Sequence, residues 1–378
     1  MLDHQKLVAQ LDKASKDLSV KFAHERDIAK QVWQSIAHDA NLAKKIQEKK
    51  WPFLVPYWSG SIGMSKNIDQ LSLPYAVLAV DGSQIYYDKH QGPPCYLINV
   101  GSVLLRYGSE KSSVAFASQP TVIVSSNEQS GAQGRDFVNE QREAFELISA
   151  VEQSDNYLKQ NHDELFVCLF DGTLIFSTTQ GLQQLMQGDD AQNFVLVYLA
   201  ELEKLYERKV LHAGYISFPR SKELVNVLKI AASGYELKKE ESFDLLGGLC
   251  DMDIAFYFLK QGQRSVVFQS KSPISYMYPK HLKPYFCYLH VGFEIVRLEF
   301  PFWIAGDESL VDKICQVALD QAQKGAGYPV CLFEAHEQAV IKSMDREFFY
   351  LMVQKMTQKY NGAYQASYKS MKKAQVPV

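Results

Sequence analysis

No apolar stretch of this 378-residue chain approaches the ~20 residues that a membrane-crossing helix needs, and the run Leu165–Phe170 is far too short. The opening Met1-Leu2-Asp3-His4-Gln5-Lys6 has no apolar core of a secretory signal, so a cytoplasmic protein with no membrane association is expected. Cysteine is sparse: Cys95, Cys168, Cys250, Cys287, Cys315 and Cys331 contain no C-x-x-C pair, which argues against structural zinc and for reduced, buried thiols. A strong charge of either sign is missing too. At a formal net charge of −3 no global basic field advertises nucleic acid, although an enzyme acting on DNA needs only a local basic groove. There is no internal repeat, no low-complexity tract and no G-x-x-x-x-G-K-[ST] phosphate loop. With 47% apolar and 22% charged residues the composition is that of a folded globular chain, which rules out disorder over most of its length.

Residues 1–50 lack proline and glycine. Leu7, Leu11, Leu18, Phe22, Ala29, Trp33 and Ile36 recur there at helical steps, which predicts an N-terminal helical region of two helices, stopped at Trp51-Pro52. Residues 51–378 then read as one mixed α/β domain. Buried strands are predicted at Tyr75–Val80 and Leu165–Phe170, and further strands at Cys95–Val100, Ser102–Tyr107 and Thr121–Ser125, with Gly101 as a turn or bulge. A helix is predicted from about Asp136 to Lys159. Ser221 is placed to cap a helix to Ala232, and Tyr328–Phe333 reads as a short strand ahead of a helix from about Ala335 to Lys359.

Two of these apolar strands end in Asp-Gly-Ser/Thr, at Asp81 and Asp171. A carboxylate at the carboxyl end of a buried strand stands at the sheet rim, where ligands bind in open α/β folds. If the strands are neighbours, the two carboxylates converge, and both stay ionised cheaply only around a cation. Oxygen ligation of this kind suits Mg²⁺ or Mn²⁺; the plainer alternative is two separate Asx turns. The intervening helix offers Glu140, Glu143 and Glu146 near Asp171. Periodicity favours Glu140, which shares a face with Ala144, Leu147 and Val151. His336 falls at the expected start of a helix, where backbone N–H groups welcome an anion.

Taken in order, Ala79-Val-Asp-Gly-Ser-Gln84, Arg142-x-x-x-Glu146-Leu147, Phe170-Asp-Gly-Thr-Leu174 and Gly327-Tyr-Pro-Val…Glu334-Ala-His336 resemble the NurA-domain nucleases, which process DNA ends with HerA-type hexameric ATPases. Weaker matches are Gly214–Ser217, Gln263–Ser265 and Arg297–Pro301. The resemblance implies an RNase H-like mixed sheet flanked by helices, with its core at about 75–350. It also implies a divalent-metal-dependent exo- or endonuclease in DNA end resection and repair, a site for Mn²⁺ or Mg²⁺, two ions in number, and a homodimer acting on single- or double-stranded ends. Carried over by position, the metal ligands would be Asp81, Glu146, Asp171 and His336, with Tyr328 completing the active site. The preceding Arg142 selects Glu146, with Glu140 as second choice.

Two rival functions remain at this stage. An actin-like ATPase or kinase also places Asp-Gly-Thr/Ser turns around a magnesium-bound nucleotide, but it predicts duplicated halves that the sequence lacks. A non-catalytic DNA clamp for a translocase would not need all five polar site residues. Beyond Glu347 the chain carries no acidic residue, while Lys355, Lys359, Lys369, Lys372 and Lys373 alternate with Tyr360, Tyr364 and Tyr368. Basic and aromatic groups so interleaved suit DNA binding through Lys369, Lys372 and Lys373.

Overall fold

The computed structural model describes residues 3–71, 74–88, 94–108, 112–124, 132–161, 164–176, 189–236 and 245–359. In chain order the elements are α1 (His4–Ile36), α2 (Leu42–Gln47), β1 (Ser65–Asn67), β2 (Tyr75–Ile85), β3 (Cys95–Tyr107), β4 (Ser113–Val124), α3 (Ala132–Leu158), β5 (Leu165–Asp171), α4 (Asp189–Glu207) and β6 (Leu211–Ser217). They continue with α5 (Glu223–Ala232), α6 (Asp251–Phe258), β7 (Gln263–Ser265), β8 (Phe268–Gln269), β9 (Pro284–His290), β10 (Ile295–Pro301), α7 (Phe302–Ala305), α8 (Glu308–Lys324), α9 (Val330–Ala339) and α10 (Ser343–Lys359). The mixed α/β class and the helical N-terminus are as expected. Among the described residues no helix is long and apolar enough to cross a membrane, and all six cysteines are free.

The chain divides into two compact units, each built from two separate segments: Met1–Leu71 with Gly214–Tyr328, and Ser72–Ala213 with Pro329–Val378. In the first, β9 and β10 form an antiparallel pair, and β10 also pairs with the second half of β6 through Val296↔Ser217 to Glu299↔Gly214. β7 and β8 pair with β9, and β1 pairs with β7. Trp33, Ile36, Leu42 and Ile46 of the N-terminal helices share a core with Leu228, Ile254, Phe268 and Phe286, so the apolar stripe of residues 29–46 is spent on this unit's own interior.

The start of α5 differs from the expectation. Its N-cap is Lys222, and Ser221 donates its hydroxyl to Asp251 instead of capping. The fully buried Asp251 carboxylate accepts from the backbone N–H groups of Glu223, Leu224 and Val225, and from Tyr288 Oη. A carboxylate at a helix start satisfies the orphan donors more strongly than a serine can. Beside it the buried Arg297 is held between Glu223 and Glu299.

In the second unit β2 lies between β3, antiparallel, and β5, parallel, while β4 lies antiparallel beyond β3. Three sequence readings change here. The Asp81-Gly82-Ser83 segment is not a turn: β2 continues to Ile85, paired with Leu97. Nor does Gly101 divide two strands; β3 runs unbroken through it. Its missing side chain instead lets α9 settle onto the sheet, because a Cβ there would lie 2.6 Å from the carbonyl oxygen of Ala335 and closer still to the backbone nitrogen of Ala339. Finally, Tyr328–Phe333 is no strand, since α9 begins at Val330 behind the N-cap Pro329 and α10 follows as a separate helix. The end of α9 is tied down by Asn99, whose amide donates to the carbonyls of Gln338 and Ala339, and by the Ser83 hydroxyl, which donates to Ala339 O.

Burial holds His212, at the start of β6, down at about 4 from an ordinary 6.5. The folded state therefore keeps the ring neutral, while below pH 6.5 the unfolded chain takes up a proton that the fold refuses. This group's contribution is complete above pH 6.5 and is lost as pH falls towards 4, to a total of about 3 kcal/mol. Urea unfolding between pH 7 and pH 4.5 should show a His212→Leu variant losing stability less steeply than the wild type; parallel slopes would show that His212 carries none of the acid sensitivity.

Candidate active site

The site is built where β2, β5, α3 and α9 meet in the second unit. Val80 and Phe170 are register partners on the parallel strands β2 and β5, so Asp81 and Asp171 are the next residues on adjacent strands. Asp81 keeps its carboxylate oriented through two bonds: Oδ1 accepts from the Gly82 backbone N–H at 2.8 Å, and Oδ2 lies 2.8 Å from His336 Nδ1, which donates to it. Asp171 is exposed at the strand end, and Gly172 turns the chain away with φ at 111°.

Above Gly82 lies the middle of α3. A Cβ on Gly82 would stand 2.5 Å from Glu146 Oε1 and 2.7 Å from Arg142 Cγ. The Asp-Gly dipeptide thus gives helix side chains access to the strand, a role quite different from the turn expected of it. Arg142 Nη1 donates to Glu146 Oε1 at 2.5 Å across one helical turn. Burial pushes the Glu146 carboxyl up to about 8; Asp81 and Glu143 push the same way, and Arg142 opposes them. Burial works against the charge on Arg142 in turn, but Glu146, Glu143 and Asp81 outweigh it and hold the guanidinium protonated. Asp81, Glu143 and Glu146 therefore share one field with the Arg142 guanidinium. Glu143 lies one turn from both Glu140 and Glu146 and acts on Glu146 as a like charge. Glu140 is buried earlier on α3, and the charges acting on Glu146 are Arg142, Asp81 and Glu143.

His336 reaches Asp81 from the last turn of α9, not from a helix start. This end of a helix presents carbonyls, so no anion is welcomed at His336 by backbone N–H groups. Its side chain is 55% exposed, against 13% for Asp81. Tyr328 belongs to the first unit, where its ring stands edge-on to Tyr215 at 5.8 Å. Lys369, Lys372 and Lys373 lie outside the described residues.

The donors suit a hard cation in kind: two carboxylates on adjacent strands, a third on α3, and one imidazole. The buried Glu146 carboxyl is further evidence of fit, because neighbouring carboxylates oppose its ionisation and Arg142 alone supports it. Among the described residues no three histidine, cysteine, aspartate or glutamate side chains stand together at ligand spacing, and Arg142 fills the cation's role at Glu146.

A family model, the NurA domain, matches residues 75–341, which takes in β2, β5, α3, α9 and every residue of the Asp81–His336 cluster. The chain belongs to the NurA-domain family. Solved structures similar to it include "Crystal structure of NurA", at 14% identity over 90% of this chain and 97% of that one, with a TM-score of 0.46. Another, "Crystal structure of NurA bound to dAMP and manganese", is 13% identical over 89% and 95%, with a TM-score of 0.45. A third, "Crystal structure of NurA with manganese", is 12% identical over 91% and 98%, also at 0.45. No curated protein matches the chain. Inside the NurA domain the four ordered motifs fall on β2, α3, β5 and α9, so residues scattered over 255 positions of sequence reach one end of one sheet.

Proposed function

We propose that this NurA-domain protein is a divalent-metal-dependent deoxyribonuclease that hydrolyses phosphodiester bonds at DNA ends. One observation carries the reading: Asp81, at the rim of β2, is hydrogen-bonded to His336 and lies in the field of the buried Glu146, with Asp171 next to it on β5. Mn²⁺ or Mg²⁺, as two ions, would be held by Asp81, Glu146, Asp171 and His336, and would polarise the phosphate and lower the pKa of a bound water. The chain's own residues do the rest. Without metal, His336 Nδ1 donates to Asp81 Oδ2 and the Gly82 amide to Oδ1; a bound cation would take the place of the first of these bonds. Arg142 keeps Glu146 placed until a metal competes for it, and can then face the charge that builds on phosphate oxygens. Tyr328 is assigned to the bound nucleotide, as a hydrogen-bond donor or a stacking ring. Digestion of end-labelled DNA with and without Mn²⁺ tests the reading; a purified protein inert on single- and double-stranded ends with either metal overturns it.

The helix carboxylate is separable by substitution. Glu146→Gln should move the Mn²⁺ dependence of hydrolysis to concentrations higher by about ten- to a hundredfold, the scale of losing one ligand-sphere group, and Glu140→Gln should titrate like the wild type. Equal curves for both variants would remove α3 from the metal site.

The rest of the proposal concerns partners in DNA end resection and repair. Docking to a HerA-type hexameric ATPase is assigned to the region 1–50, with residues 51–378 as the nuclease domain. Of the stripe residues Leu11, Leu18 and Phe22 on which this rests, Leu11 is exposed, Phe22 packs partly against the core that holds Ala29, Trp33 and Ile36, and the Leu18 side chain lies outside the described residues. A homodimer is supported by α10, which buries Phe349 and Tyr350 against Ile85 and Cys95 but leaves Met344, Phe348 and Leu351 open. Added DNA contact is assigned to Lys369, Lys372 and Lys373.

A further inference from the structure

After β6 the chain reads Phe218-Pro219-Arg220-Ser221-Lys222. Phe218 has φ at 46°, a left-handed backbone that a bulky side chain rarely adopts, and the residue is 59% exposed. A strained residue whose side chain is not packed inward gains nothing for the fold from its strain. What holds it there is Glu294, itself 6% exposed. Glu294 Oε2 accepts from the Phe218 backbone N–H at 3.1 Å and from the Ser217 hydroxyl at 2.7 Å. A buried carboxylate thus braces an exposed aromatic ring.

Phe218 stands on the wall of a cleft of about 420 Å³. Phe256, Tyr257 and Phe293 line it too, 57%, 42% and 76% exposed. Four open aromatic rings around one cavity in one unit are not a by-product of core packing. Phe293 rests on Gly327, where a Cβ would come within 3.1 Å of the ring, so this wall is continuous with the backbone just before Tyr328. The charges around the cleft favour a polyanion's backbone outside it. Arg26 neutralises Asp253 on the wall, and Arg220, exposed and two residues past Phe218, makes no ion pair among the described residues. Lys222 is exposed as well.

We propose that Phe218 and Phe293 form a base-stacking platform for single-stranded DNA, with Glu294 as the positioning residue that presents Phe218 and Arg220 meeting the adjoining phosphate. The proposal rests on the nuclease reading and adds a DNA contact on the first unit. Stacking on an aromatic face tolerates every base, because every base has a π-face, and one nearby arginine supplies backbone neutralisation. Glu294 Oε1, which no described hydrogen bond engages, is available to an exocyclic amino group.

Fluorescence anisotropy of full-length protein with a labelled single-stranded oligonucleotide, in EDTA so that no hydrolysis occurs, tests this. Phe218→Ala should weaken binding about tenfold, the scale of one lost base stack, and Phe218→Trp should restore it. On an abasic strand of equal length, wild type and Phe218→Ala should bind alike. Phe218→Gly should raise the thermal midpoint, by releasing the left-handed strain, and still weaken binding, a combination that a purely structural phenylalanine would not produce. Glu294→Ala should copy Phe218→Ala on the normal strand and have no effect on the abasic one. If wild type binds and Phe218→Ala binds equally well, or if the loss persists on abasic DNA, the platform is refuted while the nuclease reading stands. If wild type binds no DNA at all, both fall.

Discussion

Asp81→Asn should reduce hydrolysis of end-labelled DNA by about a thousandfold or more, because on the proposed reading it takes a negative ligand from the centre that would stabilise the phosphate charge, where single-group losses already reach ~10²–10³. The fold should not suffer. The lost hydrogen bond is to His336, whose side chain is mostly exposed, and removing the Asp81 charge relieves a field that already opposes ionisation of Glu146. The thermal midpoint without metal should therefore stay level or rise, while the stabilisation that added Mn²⁺ gives the wild type shrinks. A variant that retains near-wild-type cleavage with Mn²⁺ would falsify the assignment of Asp81 as a ligand.

Gly101→Ala is expected to have the largest effect on stability. Its Cβ would enter the space of the Ala335 carbonyl oxygen and of the Ala339 and Gln338 backbone, none of which can rotate away as a side chain would. Helix α9 must lift from β3, which costs on the order of 3 kcal/mol or more, at the upper end of overpacking penalties. The three hydrogen bonds from Asn99 and Ser83 to the end of α9 stretch with it. Because α9 also carries His336, activity should fall even where the variant remains folded. Denaturant unfolding and a Mn²⁺ titration on the same sample separate the two losses. A midpoint unchanged from wild type would mean that the sheet gives way instead of the helix.

Both cases bear on how legible the molecule was in its sequence. The strands at Tyr75–Val80 and Leu165–Phe170 are legible, since six-residue apolar runs followed by polar residues have few other solutions, although β2 runs on to Ile85. The glycines misled. Glycine signals a turn when local geometry requires it, but Gly82 and Gly101 are small because helices approach the sheet there, and that demand comes from residues far away in the chain. The Val330–Phe333 segment misled for a related reason. Cys331, Leu332 and Ala335 are fully buried, so a short apolar run showed no helical period, although Pro329 just ahead of it was the usual mark of a helix start. A strand at Tyr328–Phe333 would put His336 at the start of its helix; the helix that forms there puts it in the last turn, within reach of Asp81. The choice of helix glutamate could not be made from periodicity, because α3 is apolar on one side and meets buried charges on another. The cap on α5 was out of reach, as Asp251 lies 28 residues beyond the Glu223 amide that it binds.

The interleaving of the two units has a consequence for the order in which the protein is made. Each unit begins in one segment and is finished by another, and β6 itself starts in one and ends in the other. The carboxylates Asp81, Glu146 and Asp171 leave the ribosome early, whereas His336 follows Asp81 by 255 residues and arrives on a helix whose seat on β3 stays open until then. A nascent or C-terminally truncated chain would hold acidic residues but no assembled centre. On the proposed nuclease reading, synthesis order alone withholds the complete set of site residues until the segment that carries His336 has been made.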